Sequence, residues 1–267
     1  MTALGLAPDR HPGSGGTLLD ALVARDARTS GRPPSRSRLV EAYLATGGSI
    51  ASLRPEAGRT VVVVPHPDDE ALSTGGLVAH QRARGRHVVV VSVTDGDAAY
   101  PDWPGVELAR VRRREQLHAL RLLGVGRDSF ERLALPDGRL GDHEGELAQV
   151  LADLVGPDDV VVAPARFDWH PDHEACARAA VAAAHIRGCR VLGSLFWAHH
   201  RPEHATGRPF SLAALVLDAE ETERRRSAVA AHRSQLLPSE RTTDPPIVAP
   251  DLLGHLDLPV EYYVIDD

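Results

Sequence analysis

The sequence contains no lysine and only two cysteines, Cys176 and Cys189. All thirty basic residues are therefore arginines, which we attribute to a coding bias towards GC-rich codons and not to function. Neither cysteine belongs to a CxxC pair, so a disulfide framework is excluded and the reducing cytoplasm is the expected location. No apolar run approaches the length of about 18 residues that a membrane-spanning helix requires.

Chain length and charge narrow the class of protein further. The sequence has 267 residues, of which 43% are hydrophobic, and this is enough for one sizeable core. The formal net charge is −7 and the basic residues form no clustered face, so no nucleic-acid partner is expected. The N-terminus has no basic segment before a long apolar run, so we expect no signal peptide. The sequence leaves the oligomeric state open.

Residues 1–58 are predicted to form an N-terminal arm that precedes the main domain, residues 59–267. Residues 1–36 are rich in Gly, Pro, Arg and Ser, which is typical of a partly mobile segment. Within the arm we expect two short helices, one around Leu18–Arg25 and one over residues 37–46.

From residue 59 onwards, short apolar strands alternate with amphipathic helices. Val61–Val64 and His87–Thr94 are mostly β-branched runs, as found in strands that are buried on both faces of a parallel sheet. The other predicted strands are Phe130–Leu135, Asp159–Ala163, Arg190–Trp197, Leu212–Leu217 and Glu261–Ile265, and the predicted helices are Ala71–Arg84, Val106–Leu123, Glu144–Val155, Asp172–Ile186 and Asp218–Ala231. This alternation predicts a single α/β domain with a Rossmann-like, mostly parallel sheet and helices on both faces.

Two segments dense in metal-binding side chains follow two of these strands. Residues 65–70 (PHPDDE) come directly after the first strand, and residues 168–174 (DWHPDHE) follow the strand Asp159–Ala163. Parallel strands deliver such segments to the same edge of the sheet, where binding sites of open α/β sheets lie. The sequence therefore predicts one site built from both segments.

The residue types in these segments suit a catalytic zinc site, which uses three protein ligands and leaves one position open. His66, Asp69 and His173 can supply a set of two histidines and one aspartate. Asp68 stands beside a ligand and could act as the general base towards a water whose pKa the metal lowers.

The second segment offers two further candidates near the predicted ligand His173. His170 could stabilise an oxyanion or protonate a leaving amine. Asp172 could orient the ring of His170 or of His173.

The two segments resemble the motifs (A/P)HPDDE and HxDH of the LmbE-like family of N-acetylglucosaminyl deacetylases, also called the PIG-L family. The resemblance covers about residues 59–265. It implies a zinc-dependent deacetylase in which His66, Asp69 and His173 bind the metal. It also implies that Asp68 is the general base and that His170 assists at the oxyanion or the leaving group.

Weaker features also resemble recurring family segments, namely Thr94–Gly96, the long helix, Leu135–Gly138 and Ala231–Gln235. They make Asp95, Arg112 and His232 candidates, with Asp172, for supporting the metal ligands or contacting the substrate. Ion pairing explains Asp95 and Arg112 at least equally well, and a histidine at a helix end can simply oppose the helix dipole.

Other notable side chains are assigned to loops or to packing. His199, His200 and His204 are expected to be surface residues, because no strand end places them with the two motifs. The three tryptophans lie in or near loops at predicted strand ends, where they could stack on a sugar, although packing explains at least two of Trp103, Trp169 and Trp197. Substrate choice is expected to reside in four loops, residues 96–106, 136–143, 198–210 and 238–256.

Together these features predict a zinc-dependent hydrolase that removes an N-acetyl or N-acyl group from an amino sugar or glycoconjugate, such as an antibiotic or thiol-cofactor precursor. Another divalent metal could take the place of zinc. A non-catalytic, metal-containing binding protein is the alternative, although a structural zinc site would need four protein ligands. A dinucleotide-binding oxidoreductase is disfavoured, because no GxGxxG follows the first strand and Gly75–Gly76 lie within the next helical pattern.

Overall fold

A computed structural model describes residues 37–55, 58–205 and 209–265, and eight strands of these residues form one sheet. The strands are β1 Ile50–Ser52, β2 Thr60–Val64, β3 Val88–Thr94, β4 Phe130–Leu135, β5 Val160–Pro164, β6 Arg190–Ser194, β7 Leu212–Val216 and β8 Val260–Val264. The α-helices are α1 Arg38–Ala45, α2 Asp69–Leu72, α3 Gly75–Ala83, α4 Gly105–Leu122, α5 Glu144–Leu154, α6 Pro171–Arg187, α7 Trp197–His200, α8 Ala219–Ala231 and α9 Arg233–Leu236. Short 3₁₀ turns cover Arg127–Ser129, Leu140–Asp142, Pro202–Ala205 and Pro250–Asp257.

The strand order is β1-β7-β8-β6-β5-β2-β3-β4, and only the pairs made by β8 are antiparallel. The mostly parallel α/β sheet that the sequence predicts is therefore confirmed. From the centre, the chain adds β3 and β4 on one side of β2 and adds β5 and β6 on the other. The strand order thus reverses between β2 and β5, which opens a crevice at their carboxyl ends.

The two faces of β2 explain its β-branched composition. Val62 and Val64 pack into the apolar layer formed with α3, α4 and α8, while Val61 and Val63 pack into the layer formed with α5 and α6. All four valines are at most 2% exposed. Burial on both faces favours apolar side chains at these four positions, and the polar motif begins where the strand ends.

The predicted helix Ala71–Arg84 is in fact two helices, because the chain breaks between α2 and α3. The backbone N–H groups of Gly76 and Leu77 donate to the Glu261 carboxylate at 2.6 and 2.8 Å. Glu261 lies on β8 and satisfies the free amides of a new helix N-terminus. This capping group comes from a distant part of the chain, so local periodicity does not reveal the break.

The predicted strand Arg190–Trp197 is also shorter than expected, since β6 ends at Ser194 and Trp197 begins α7. The Asp168 carboxylate accepts hydrogen bonds from the backbone N–H groups of Phe196 and Ala198 at 3.0 and 2.9 Å. These bonds turn the chain out of the sheet directly beside the second motif.

Part of the predicted N-terminal arm belongs to this sheet. The helix predicted over residues 37–46 is present as α1, whereas the one around Leu18–Arg25 lies outside the described residues. β1 was not predicted, because three residues carry no readable periodicity, and it pairs in parallel with β7. The sheet therefore extends across the boundary that the sequence predicts at residues 58 and 59. In the described ranges, no helix combines the length and apolarity needed to cross a bilayer.

Candidate metal centre

The turns after β2 and β5 bring His66, Asp69 and His173 together at the crevice. The Asp69 Oδ2 atom lies 3.3 Å from His66 Nδ1 and 3.4 Å from His173 Nε2. The same oxygen accepts the backbone N–H of His66 at 3.0 Å, which holds the turn closed. Asp69 and His173 are buried, and the His66 side chain keeps 12% of its surface exposed. One carboxylate oxygen therefore lies between two imidazole nitrogens.

The opposite nitrogen of each imidazole faces a different carboxylate. His66 Nε2 lies 3.2 Å from both Asp137 Oδ1 and Asp172 Oδ2. His173 Nδ1 lies 2.8 Å from Asp168 Oδ2. Because these carboxylates accept N–H groups, each neutral ring carries its proton on the nitrogen that faces a carboxylate. The lone pairs of His66 Nδ1 and His173 Nε2 then point towards Asp69.

The carboxylates behind the histidines are themselves fixed by backbone amides. Asp172 accepts the N–H groups of Gly138 and Leu140 at 2.7 and 3.0 Å, and Asp137 accepts the N–H of Ala98 at 2.8 Å. The Asp172 side chain faces His66 and the loop after β4, while its backbone N–H donates to His170 Nδ1 at 3.2 Å. Sequence reasoning assigned no role to Asp137 or Asp168, although both lie in segments that follow strands.

This excess of carboxylates makes the pocket favourable for positive charge. Burial acts to lower the pKa of His173, but the Asp69 and Asp168 carboxylates outweigh it and raise that pKa to about 9. Burial also acts to lower the pKa of His66, but hydrogen bonds to Asp137, Asp172 and Asp69 outweigh it and raise that pKa well above its usual value. Burial acts to raise the pKa of Asp69, yet His173 and His66 hold it well below its usual range. A bound cation would take the place of these protons.

Asp68 sits beside this centre in a strained backbone conformation with φ of 122°, a region that non-glycine residues rarely adopt. Its side chain is 8% exposed, and Oδ2 lies 3.3 Å from the Arg112 guanidinium. Burial raises the pKa of Asp68 to about 6 against the opposing charge of Arg112. The carboxyl group is thus less acidic than a solvated one and can exchange a proton near neutral pH.

His170 is the N-cap residue of α6, and its Nδ1 accepts the backbone N–H of Asp172 at 3.2 Å. In the neutral ring the proton is therefore on Nε2. Its ring centroid lies 4.9 Å from that of His66 and 5.1 Å from that of His173. Burial and the neighbouring His66 lower the pKa of His170 to about 4, so the ring is neutral at pH 7.

Two groups of ligand atoms in the described residues lie within 4.8 Å of one another and could hold a metal ion. One group is His66, His170 and His173, and the other is His66, Asp137 and Asp172. Both contain His66. A divalent cation is therefore compatible with the donor atoms gathered here.

The remaining predicted site residues, Arg112, His232 and Asp95, bond to other residues around this centre. Arg112 is buried and donates to the carbonyl groups of Pro67 and Gly96 at 2.6 and 2.9 Å, so it supports the motif turn. His232 Nε2 lies 2.8 Å from the buried Glu70 carboxylate. Asp95 instead forms an ion pair with Arg132.

A cavity of about 290 Å³ opens onto the metal centre and contains Asp68, Arg112 and His170 in its wall. The rest of the wall is largely apolar, formed by Leu72, Ala98, Ala99, Phe196, Trp197, Ile247 and Val248. Three of the four loops predicted to carry substrate choice, residues 96–106, 136–143 and 238–256, contribute to this wall.

The expectation that His199 is a surface residue is wrong. His199 is 4% exposed, its Nδ1 lies 2.7 Å from Ser37 Oγ, and its ring stacks on His255 with centroids 4.8 Å apart. The inward turn at Phe196 carries it beneath α1. His200 is partly buried against His255, and the side chain of His204 lies outside the described part of the chain. Trp103 is buried, whereas Trp169 is 38% exposed.

Comparison with known proteins matches the region that contains this site. The family model described as PIG-L, GlcNAc-PI de-N-acetylase, matches residues 61–184, which include both motifs. This part of the chain belongs to the PIG-L family. The family resemblance of the sequence is therefore confirmed.

Individual relatives of this PIG-L chain agree with the assignment. The 2′-N-acetylparomamine deacetylase of Streptomyces fradiae is 35% identical over 142 residues, which are 45% of this chain and 50% of that protein. The N,N′-diacetylchitobiose deacetylase of Pyrococcus horikoshii matches with a TM-score of 0.53 and 25% identity, over 70% of this chain and 73% of that one. A zinc-inhibited form of teicoplanin deacetylase matches with a TM-score of 0.61 and 23% identity, over 78% of this chain and 97% of that one, and supports the fold. The PIG-L chain spans between 50% and 59% of the length of the first curated relatives.

Proposed function

We propose that this chain is a metal-dependent hydrolase that removes an acyl group from the amino group of an amino sugar or glycoconjugate. The observation that carries the proposal is the opposed arrangement of His66 and His173 around Asp69. Each ring donates its outer N–H to a carboxylate and presents its other nitrogen to the same oxygen. This is the arrangement in which histidines bind metals in proteins.

The donor set fits a divalent cation. In a tetrahedral site with metal–ligand bonds of about 2.1 Å, neighbouring ligand atoms are about 3.4 Å apart. The distances from Asp69 Oδ2 to the two histidine nitrogens are 3.3 and 3.4 Å. Two of the three ligand–ligand distances thus match a tetrahedral site, whereas this set is not one of the two groups whose ligand atoms all lie within 4.8 Å of one another. We propose His66, Asp69 and His173 as ligands because the other donors are already engaged. In those groups, Asp137 and Asp172 already accept from His66, and His170 Nδ1 accepts from a backbone amide.

A cation held by these residues would supply a Lewis acid that polarises the amide carbonyl and lowers the pKa of water. Zinc is the metal we propose, because two histidines and a carboxylate are frequent zinc ligands. Another divalent cation could occupy the same donors. Three protein ligands leave a coordination position open, which favours a catalytic centre over the alternative of a non-catalytic binding protein.

Asp68 and His170 are proposed to move the protons. Asp68 lines the cavity, is not a proposed ligand, and has a raised pKa, so it suits a base that takes a proton from water. His170 directs a neutral Nε2–H group that can donate a hydrogen bond to the oxyanion or the leaving nitrogen. Arg112 holds Asp68 in place, and Asp137, Asp168 and Asp172 fix the histidine rings.

Names of the relatives support the substrate class. They include deacetylases of an acetylated paromamine, of an acetamido-glucopyranoside of myo-inositol and of N,N′-diacetylchitobiose. All are amides of amino sugars, so we propose a small-molecule substrate of this kind and no nucleic-acid partner. Cys176 and Cys189 are free thiols, which supports the proposed cytoplasmic location.

Release of the free acid tests this function. The zinc-loaded protein is incubated with N-acetylglucosamine, N,N′-diacetylchitobiose and the acetamido-glucopyranoside of myo-inositol, and acetate and free amine are measured by mass spectrometry. We expect turnover of at least one substrate, its loss after chelation, and its return when zinc is added back. Absence of turnover on the whole panel at full metal occupancy would contradict the proposed function.

A further inference from the structure

The segment between α9 and the buried residue Val248 forms a surface loop whose two ends meet. The backbone N–H of Val248 donates to the carbonyl oxygen of Gln235 at 3.0 Å, which brings the ends of residues 237–247 side by side. A loop of eleven residues with adjacent ends is an Ω-loop, a compact type of surface loop that frequently has a functional role. We call residues 237–247 the Ω-loop.

Among the residues that the structure describes, no apolar cluster includes any part of the Ω-loop. The clusters contain Leu236 and Val248 on either side of it but none of residues 237–247. Eight of the eleven residues of the Ω-loop are exposed and none is buried. A segment with so few apolar contacts opens locally at a small cost in free energy, while the rest of the domain stays folded.

Polar contacts attach the Ω-loop to the loop after β3 and to the start of α4. Asp102 Oδ2 accepts the backbone N–H of Thr243 at 2.8 Å and the hydroxyl group of Thr243 at 3.0 Å, and Asp102 Oδ1 accepts the hydroxyl group of Thr242. Arg241 pairs with Glu107 in the first turn of α4 at 2.7 Å. All these groups are exposed, so water can replace each contact when the loop lifts.

The last residue of the Ω-loop reaches the cavity that opens onto the metal centre. Ile247 and Val248 line this cavity together with Ala98 and Ala99 of the loop after β3. The backbone N–H of Ile247 donates to the Tyr100 hydroxyl oxygen at 3.3 Å. One part of the cavity wall is therefore made where the Ω-loop meets the loop after β3.

Two prolines connect the contacts of Asp102 to this wall. Pro245 and Pro246 lie between Thr243, which Asp102 holds, and Ile247, which lines the cavity. Proline fixes its own φ angle and restricts the residue before it, so this short stretch of backbone is stiff. A movement that begins at Thr243 is therefore passed on to Ile247.

We propose that the Ω-loop is a lid, that it swings as one body about its base at Gln235 and Val248, and that Asp102 latches it closed. Opening at Ile247 widens the cavity and admits the substrate, and closure restores the wall. The movement is a property of the loop itself and does not depend on which acyl group is removed.

Hydrogen exchange of the zinc-loaded protein, resolved by residue, tests the movement as one body. The Thr243 amide is bonded to Asp102 and the Ile247 amide is bonded to Tyr100, so a purely local change at Asp102 affects only the first. We expect the two amides to have equal protection factors in the wild type, and Asp102→Ala to lower both about 10-fold. The Val248 amide at the base should keep its protection factor.

Two further variants control this experiment. Asp244→Asn changes another exposed aspartate of the same Ω-loop and should leave the protection of all three amides unchanged. Asp102→Asn keeps one side-chain oxygen that can accept the Thr243 amide, so its effect should be smaller than that of Asp102→Ala. Faster exchange at Thr243 alone, or unequal protection of Thr243 and Ile247 in the wild type, overturns the inference.

A disulfide across the latch tests whether opening admits the substrate. Asp102→Cys and Thr243→Cys are combined in one protein, whose reduced form is its own matched control. The kcat/KM for the best substrate of the panel should fall at least about 10-fold on oxidation and return on reduction. Unchanged turnover with the disulfide verified by mass spectrometry overturns the gating role, and thiols that do not pair contradict the contact between Asp102 and Thr243. Absence of turnover in the wild type contradicts the proposed function instead and leaves the exchange result standing.

Discussion

The Asp168 carboxylate joins the metal centre to the fold through His173. Its Oδ2 lies 2.8 Å from His173 Nδ1, and its Oδ1 accepts the backbone amides of Phe196 and Ala198. One buried side chain therefore fixes the orientation of a proposed ligand and also ends β6. Asp168 is 1% exposed, so water cannot replace it in either role.

Asp168→Asn is expected to weaken metal binding about 10- to 100-fold. The side-chain oxygen of the asparagine can still accept the hydrogen bonds from the Phe196 and Ala198 amides. The NH₂ group of the asparagine would then face His173 Nδ1. The ring would then carry its proton on Nε2, where it blocks the lone pair directed towards Asp69. Zinc affinity measured by chelator competition checks this. Asp128 is exposed in the turn before β4, so the control variant Asp128→Asn should keep the wild-type affinity. An unchanged zinc affinity of Asp168→Asn would contradict the orienting role.

Asp68→Asn is expected to reduce kcat by about 10²- to 10⁴-fold while zinc still binds, because the amide cannot accept a proton from water. Zinc content by elemental analysis and acetate release on the best substrate of the panel are measured on the same preparation. Asp153→Asn, on the exposed face of α5, is the control and should have wild-type kcat. Near-normal turnover of Asp68→Asn would remove Asp68 as the base, whereas loss of zinc would make it a ligand.

The candidate site could be predicted from the sequence because its members lie in two short segments that follow buried strands. The runs Val61–Val64 and Asp159–Ala163 fixed where the strands end, and the topology of parallel sheets fixed where those ends meet. His66, Asp69 and His173 could therefore be placed together without coordinates. Their roles as ligands remain a proposal.

Contacts between distant segments could not be read in the same way. Asp137 reaches His66 across 71 positions, Glu261 caps α3 from β8, and Ser37 covers His199 from α1. None of these pairs leaves a local pattern, because each depends on how loops fold back over the sheet edge. The burial of His199 and the break between α2 and α3 were missed for this reason.

Glu70→Gln is expected to lower the free energy of unfolding by about 3–5 kcal/mol, as removal of one partner from a buried ion pair does. Glu70 is fully buried, its Oε1 lies 2.8 Å from His232 Nε2, and its Oε2 accepts from Gln116 and from the Asp68 amide. Burial acts to lower the pKa of His232, but Glu70 outweighs it and raises that pKa, as expected for an ion pair. Urea unfolding at pH 6 with the metal bound measures the loss.

The exposed pair of Glu107 and Arg241, 2.7 Å apart, provides a matched control for the buried one. Because solvent screens exposed pairs, Glu107→Gln should cost no more than about 1 kcal/mol. Similar losses in Glu70→Gln and Glu107→Gln would show that the buried carboxylate carries no ion pair. A retained stability with a reduced kcat would instead assign Glu70 to the positioning of Asp68.

His199, which is buried, and His255, which is half-buried, are expected to make the fold sensitive to acid. Burial, with Arg225 nearby, lowers the pKa of His255 to about 3, and burial with His255 lowers that of His199 well below its usual value. Below pH 6.5 the unfolded chain binds protons that the folded chain excludes, so stability falls as the pH falls. Between pH 6.5 and pH 5, each histidine should lower the free energy of unfolding by about 2 kcal/mol. Urea unfolding at these two values should show a smaller loss in His255→Phe than in the wild type, while the exposed His185→Gln keeps the wild-type loss. An equal loss in all three proteins would mean that His255 is protonated inside the fold.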